Sequence, residues 1–122
     1  MWYLDSGASF HMSGDKNLFS TLEEKDLQMR IEMGDDGKYR VSSEGMVVFQ
    51  RENGAPLTLS DVKYVPSLKK NLVSVAMLED KGYDVVFSKG KVFLRHIGTG
   101  KTKRIGIQVK NLYKLKVDDC VV

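Results

Sequence analysis

Residues 2–12 read WYLDSGASFHM and place a carboxylate, Asp5, between an apolar run and a series of small residues. Trp2, Tyr3 and Leu4 are typical of the end of a buried strand. The Asp-Ser-Gly triplet by itself is typical of a turn, because Asp and Ser bond nearby backbone groups and Gly permits positive φ. A carboxylate delivered into apolar surroundings is costly unless another group shares its charge. The stretch therefore predicts a partner for Asp5.

The composition is that of one folded domain, which we expect to span residues 1–122. The chain has 122 residues, of which 42% are hydrophobic, enough to bury a core. Its uninterrupted apolar runs are far shorter than the ~20 residues of a membrane-spanning helix, and it opens without a signal-peptide pattern. A single cysteine, Cys120, excludes an internal disulfide and favours a reducing compartment. We therefore expect a cytoplasmic protein with no membrane partner.

Charge is divided unevenly along the chain. Residues 1–61 carry 6 Lys/Arg and 11 Asp/Glu, whereas residues 62–122 carry 13 Lys/Arg and 5 Asp/Glu. A basic half can indicate a nucleic-acid interface. Here the basic residues alternate with apolar ones, as in KVFLRH (91–96), which is typical of an antiparallel strand with one solvated face. Nucleic acid is therefore not expected as a specific ligand.

Alternation of apolar and polar residues predicts an all-β fold with one short helix. Two β-hairpins are expected from residues 27–33 with 38–43 and from residues 46–51 with 57–65, joined by turn residues. The helix is predicted within residues 71–82, with Gly82 at its C-terminal cap. Four further strands are predicted at 83–88, 91–96, 102–109 and 111–117. Turns about every ten residues favour a β-barrel or sandwich.

Other catalytic motifs are incomplete. GTGKT (98–102) lacks the earlier glycine of a phosphate loop, since Arg95 stands at that position. The G-x-S-x-G pattern of serine hydrolases is absent, and His11 fits a structural or rim residue better than a base. Two histidines far apart in sequence make no metal site, so neither metal nor cofactor is expected.

One carboxylate is a poor activator of water, but two that share a proton can act together as base and acid. The chain holds a single Asp-Ser-Gly triplet. A second aspartate must then come from another copy of the chain, placed across a two-fold axis. A homodimer would supply the partner that Asp5 requires.

At these residues the sequence resembles the retropepsin-like aspartic proteases, and in particular the protease of copia-type LTR retrotransposons, which is part of a Gag-Pol polyprotein. WYLDSGASFHM is similar to that family's W-x-L-D-S-G-A-S-x-H-M, and DVKYVPSLKKNLVSVAML (61–78) to its D-V-x-Y-V-P-x-L-x-x-N-L-x-S-V segment. NLYKL (111–115) is similar to its closing pattern. The resemblance extends over most of the chain.

The resemblance implies a homodimeric, pepsin-related β lobe with Asp5 as the catalytic residue. It implies that Ser6, Gly7, Ala8 and Ser9 support the catalytic loop and contact the substrate backbone. A flap is expected at residues 28–43, with its tip at Gly34, Asp35, Asp36 and Gly37, or alternatively at 43–45. Asn71 and Leu72 are expected to begin the helix that packs near the catalytic loop.

The chain departs from the viral retropepsins in three places. Residues 67–70 replace a glycine-containing element that braces the catalytic loop, and Ser9 and Phe10 stand where viral enzymes have acidic residues. The strands that usually precede the triplet are missing, so either the sequence is trimmed or, as we favour, residues 83–117 supply that sheet and the dimer sheet. Residues 1–82 would then hold the catalytic loop, flap and helix.

These features predict an endopeptidase that cleaves a Gag-Pol polyprotein within virus-like particles, using a water molecule and an extended peptide substrate. Two alternatives remain open. The chain could be a catalytically silent retropepsin fold that binds peptide, or a nucleic-acid-binding module.

Overall fold

The computed structural model describes residues 1–24, 29–32, 37–51, 56–116 and 120–121. Almost all of its regular structure is strand, and a single short α-helix is present in these ranges. The elements in chain order are β1 (Trp2–Asp5), β2 (Met12–Ser13), a 3-10 turn (Lys16–Leu18), β3 (Thr21–Glu23), β4 (Met29–Glu32), β5 (Lys38–Val41), β6 (Ser43–Arg51), β7 (Leu57–Tyr64), β8 (Asn71–Ser74), α1 (Val75–Asp80), β9 (Tyr83–Ser88), β10 (Lys91–His96), β11 (Thr102–Val109), β12 (Leu112–Leu115) and β13 (Cys120–Val121).

Eleven strands of the described ranges form one continuous sheet in the order β13-β6-β7-β2-β8-β1-β12-β11-β10-β9, with β3 added beside β6. The hairpin of β4 and β5 forms a separate two-stranded sheet. The expected all-β, barrel-like domain is thus confirmed at this level. Both predicted hairpins are also present, since β4 pairs with β5 and β6 pairs with β7, each antiparallel.

Strand β1 lies in the middle of this order, parallel to β8 on one side and antiparallel to β12 on the other. Successive side chains of a strand point to opposite faces. Trp2 and Leu4 accordingly belong to the larger core, and Tyr3 packs against the smaller one. The larger core also contains Val47, Phe49, Leu57, Leu59, Val62, Val73, Val75, Leu78, Val92, Leu94, Ile105 and Leu115. The smaller core contains Ala8, Met12, Val41, Val65, Leu68 and Leu72.

The strands that follow the helix extend the sheet that contains β1. Tyr3 pairs with Lys114 and Leu4 with Tyr113, after which β11, β10 and β9 continue by antiparallel pairing. The C-terminal part of the chain therefore supports β1 directly.

The prediction that Asn71 and Leu72 begin the helix is wrong. Residues Asn71–Ser74 form β8, and the helix begins at Val75 with Ser74 as its N-cap. The apolar residues Leu72 and Val73 are both buried but belong to different cores, which is the two-residue period of a strand. Gly82 follows the helix with φ of +92°, a conformation that suits glycine just beyond a helix end.

The alternative flap tip at residues 43–45 is also wrong. Ser43, Glu44 and Gly45 begin β6 and pair with β7, and Glu44 and Gly45 also pair with β3. Of the preferred tip, Gly34, Asp35 and Asp36 lie outside the described residues, and Gly37 directly precedes β5.

Candidate active site

Asp5 is the last residue of β1, so its backbone is held by a strand with neighbours on both sides. It pairs with Ser74 of β8, and the preceding Leu4 pairs with Tyr113 of β12. The residue is partly buried. A side chain at the end of a central strand is held more rigidly than one in a surface loop, which suits a functional carboxylate.

The loop after Asp5 folds back onto the carboxylate. The backbone N–H of Gly7 donates to Asp5 Oδ1 at 2.7 Å, which is the geometry of an Asx turn. The turn chemistry read from the triplet is therefore present. Ser6, Gly7 and Ser9 are exposed, whereas Ala8 is buried in the smaller core, so the loop presents its small polar residues outward.

Ser74 anchors this loop from the other side. Its hydroxyl donates to the carbonyl of Ala8 at 2.7 Å, and its backbone N–H donates to Nδ1 of His11 at 2.9 Å. Ser74 is fully buried and His11 is 3% exposed. The junction of β8 and α1 thus holds the loop that follows Asp5.

His11 is a structural residue of this anchor. A backbone N–H can only donate, so Nδ1 must accept and the ring proton resides on Nε2 in the neutral tautomer. Burial lowers the pKa of His11 to about 4, with Asp61 opposing this shift and Lys81 adding to it. The ring is therefore neutral at physiological pH, and its Nδ1 accepts the hydrogen bond from the N–H of Ser74.

Two pockets meet at Asp5, the residue that lines both. One, of about 450 Å³, lies between the loop that follows Asp5 and the β4–β5 hairpin. Its other lining residues are Gly7, Ala8, Ser9, Phe10, Met12, Met29, Arg30, Ile31 and Glu32. We call it the hairpin pocket. It offers apolar side chains beside a carboxylate, as an extended peptide with apolar side chains would require.

The second pocket, of about 660 Å³, lies on the β12 side of Asp5 and is called here the β12 pocket. Its lining includes Tyr3, Ser6, Tyr39, Lys70 and Leu112. Leu112 is 51% exposed although it is apolar. Asp5 thus lies between a pocket lined by strand β4 and a second pocket that contains an exposed leucine.

The sequence motif identifies the loop 5–9 but not Ser74, which holds the loop, or Lys63, which lies beside Phe10. The prediction of a helix within residues 71–82 places Ser74 inside that helix, although a serine directly before an apolar helical run is an N-cap signal. The alternation correctly predicts Lys63 in a strand but does not indicate that it is 9% exposed, with its Nζ 5.1 Å from the centroid of the Phe10 ring. No sequence signal distinguishes such a lysine from its exposed neighbours.

Within the described ranges, no group of three or more His, Cys, Asp or Glu side chains is arranged to hold a metal ion. In the same part of the chain, no helix has the length and apolar character needed to cross a membrane.

The chain is similar to parts of transposon polyproteins. A family model described as the Pol polyprotein, beta-barrel domain, matches residues 2–83. The chain is 30% identical over 90 residues to the retrovirus-related Pol polyprotein from transposon TNT 1-94 of Nicotiana tabacum, covering 74% of the chain and 7% of that protein. It is 29% identical over 114 residues to the retrovirus-related Pol polyprotein from transposon RE1 of Arabidopsis thaliana, covering 93% of the chain and 8% of that protein.

The chain therefore spans less than a tenth of the length of these relatives. No solved structure matches it significantly. Because the family model covers most of the chain, including β1, the loop that follows Asp5 and the helix, the chain belongs to the Pol polyprotein beta-barrel domain family.

Proposed function

We propose that this domain is an aspartic endopeptidase of a retrotransposon Gag-Pol polyprotein and that it acts as a homodimer. The arrangement around Asp5 carries the proposal: Asp5 ends a central strand, its loop is anchored by Ser74, and the β4–β5 hairpin lines the pocket beside it. The resemblance of WYLDSGASFHM to copia-type proteases supports the same function.

In the proposed mechanism, Asp5 of each chain holds one water molecule between two carboxylates that share a proton. One carboxylate removes a proton from the water while the other protonates the carbonyl oxygen of the scissile peptide bond. The resulting gem-diol intermediate breaks its C–N bond when one carboxyl group protonates the amide nitrogen and the other carboxylate removes a proton from a hydroxyl, which leaves an acid, an amine and one proton again shared by the pair. No covalent bond to the enzyme forms, and neither metal nor cofactor takes part.

The substrate is proposed to be an extended polypeptide bound in the hairpin pocket. Apolar side chains of Met12, Met29 and Ile31 line this pocket, and the exposed Ser6–Gly7 turn offers backbone groups next to Asp5. The main chain of an extended peptide can bond to these backbone groups while its side chains enter the pocket. The flap role is proposed for the β4–β5 hairpin on the same grounds.

The second copy is proposed to approach from the β12 side of Asp5. The β12 pocket lies on this side, and the exposed Leu112 is part of its lining. Contact there would cover an apolar side chain and bring a second carboxylate toward Asp5, so that each chain supplies half of the site. The proposed setting is the cytoplasm, within virus-like particles.

The proposal is tested by incubating the purified chain with reduced, carboxymethylated casein and with a longer Gag-Pol segment, and by identifying products by mass spectrometry. Wild-type protein should produce new termini, pepstatin should suppress them, and Asp5→Asn should abolish them. Asp15→Asn is the matched control, because Asp15 caps the 3-10 turn by accepting from the N–H of Asn17 at 2.9 Å and asparagine can cap equally well.

Undiminished cleavage by Asp5→Asn would refute the assignment. A wild-type dimer that binds peptide without cutting it would instead support the catalytically silent fold.

A further inference from the structure

Lys63 stands in the interior of the sheet, where a lysine is unexpected. It belongs to β7, between Glu44 of β6 and Met12 of β2, with which it is paired in register. The residue is 9% exposed. A buried ammonium group is costly unless it is paired and its donors are used, so this lysine needs specific partners.

Two partners hold the Lys63 side chain in place. Its Nζ lies 2.6 Å from Oε2 of Glu44 and 5.1 Å from the centroid of the Phe10 ring. A cation within about 6 Å of an aromatic face is attracted to it. Glu44 fixes the ammonium group, and the ammonium group in turn fixes the ring.

The backbone of the loop does not depend on this side chain. The N–H of Lys63 donates to the carbonyl of His11 at 2.8 Å, and Ser74 holds Ala8 and His11 independently. What the Lys63 side chain adds is therefore the orientation of Phe10. Phe10 lines the hairpin pocket together with Asp5, so its orientation sets one wall of that pocket.

We propose that Lys63 is a positioning residue which, with Glu44, holds Phe10 as a wall of the hairpin pocket and thereby selects peptides with an apolar side chain at that position. The inference rests on the proposed function for the peptide ligand. The fixed position of the Phe10 ring, by contrast, can be measured without any activity.

The test uses Asp5→Asn protein, so that peptides are bound and not cut. Two peptides that differ only in leucine or serine at the position under test are titrated into it. Replacing Lys63 by methionine keeps the length and apolar stem of the side chain and removes the charge, and the preference for leucine should fall about three- to tenfold. Resonances of 13C-labelled phenylalanine should show that the ring of Phe10 is no longer held in one position.

Lys63→Met leaves Glu44 without its ammonium partner, so the double variant Lys63→Met/Glu44→Gln is made as well. Lys81→Met is the matched control, because Lys81 is ion-paired with Asp61 at 3.6 Å but is 55% exposed. The control should retain both the leucine preference and the Phe10 resonances.

Folded Lys63→Met and double variants with unchanged preference and unchanged Phe10 resonances would overturn the inference. Lack of a leucine preference in the parent Asp5→Asn protein would overturn it too. A preference that depends on Lys63 in a protein whose wild-type form cuts no substrate would uphold the inference and overturn only the proposed activity.

Discussion

The hydroxyl of Ser74 donates to the carbonyl oxygen of Ala8 at 2.7 Å and so joins the start of α1 to the loop that follows Asp5. The same oxygen accepts from the N–H of Met77 at 3.1 Å and caps the helix. One buried side chain thus holds both the loop that follows Asp5 and the first turn of α1.

Replacement of Ser74 by alanine should lower the free energy of unfolding by about 1–3 kcal/mol, because it removes a helix cap and leaves the buried Ala8 carbonyl without this donor. Urea denaturation monitored by circular dichroism measures the change. Ser20→Ala is the control, since the Ser20 hydroxyl donates to the carbonyl of Met46 at the surface and its loss should cost under about 0.5 kcal/mol. Equal losses in the two variants would contradict the anchoring role of Ser74.

Stability should fall on acidification because of His11. Burial lowers its pKa from 6.5 to about 4, so between these pH values the unfolded chain binds a proton that the folded chain does not. The stabilisation is fully present above pH 6.5 and is lost as the pH falls toward 4. The part due to His11 is about 3 kcal/mol, which urea titrations at pH 7.5, 5.5 and 4.5 would follow.

His11→Asn is the informative variant for this pH dependence. An asparagine oxygen can replace Nδ1 as acceptor for the N–H of Ser74 but does not titrate. This variant should show a shallower loss of stability between pH 6.5 and 4.5, whereas His96→Gln should retain the contribution of His11. A pH dependence identical in His11→Asn and wild type would exclude His11 as its source.

Gly14→Ala should be destabilising through a backbone collision. A Cβ at Gly14 would overlap the carbonyl oxygen of Leu68 and lie 3.1 Å from that of Val65. This backbone cannot move freely, because the Val65 carbonyl accepts a hydrogen bond from the N–H of Leu68 and the N–H of Val65 donates to the carbonyl of Ser13. We expect a loss of about 1–3 kcal/mol in the free energy of unfolding. Ser67→Ala, at an exposed position of the same turn, should change it little, and a stable Gly14→Ala protein would refute the close approach.

The hairpins could be predicted from the sequence because each has one apolar and one polar face, so that alternation is visible in residues 29–32, 38–41 and 57–64. Strand β8 was missed for the opposite reason. Both of its faces are buried, Leu72 in one core and Val73 in the other, and such an apolar run next to a helix cannot be separated from it by periodicity. The same limit hid Ser74, whose role depends on Ala8 more than sixty residues away in sequence.

Asp5 could be recognised from its motif, whereas its surroundings could not. The pairing of Lys63 with Glu44 follows from the β6–β7 hairpin, whereas its contact with Phe10 depends on β2 lying beside β7, two strands that are far apart in the chain. Most lysines are exposed, so residue type alone gives no reason to expect Lys63 to be buried. The burial of Lys63 and its contact with Phe10 are therefore set by tertiary packing, which the local sequence pattern does not reveal.

The proposed homodimer makes activity depend on protein concentration. Each chain supplies one Asp5, so the rate per chain should fall as the protein is diluted below the dimer dissociation constant. Sedimentation velocity and initial rates measured over the same concentrations should give the same midpoint. A rate strictly proportional to protein concentration, in a chain that sediments as a monomer, would contradict a shared site.

Mixing wild-type and Asp5→Asn chains tests the shared site more directly than dilution. When all chains are dimeric and exchange freely, adding an equal amount of Asp5→Asn should reduce the wild-type rate to about half, because mixed dimers hold a single carboxylate. A site complete within one chain would leave the rate unchanged.

Leu112→Asp should shift dimerisation and activity to higher concentration, since it places a charge in the proposed contact beside Asp5. Ile97→Asp changes a leucine-sized apolar residue that is 61% exposed in the turn after β10, and it should shift neither. If Leu112→Asp retained the wild-type midpoint while the mixing experiment still halved the rate, the dimer would stand and its contact would have to lie away from β12.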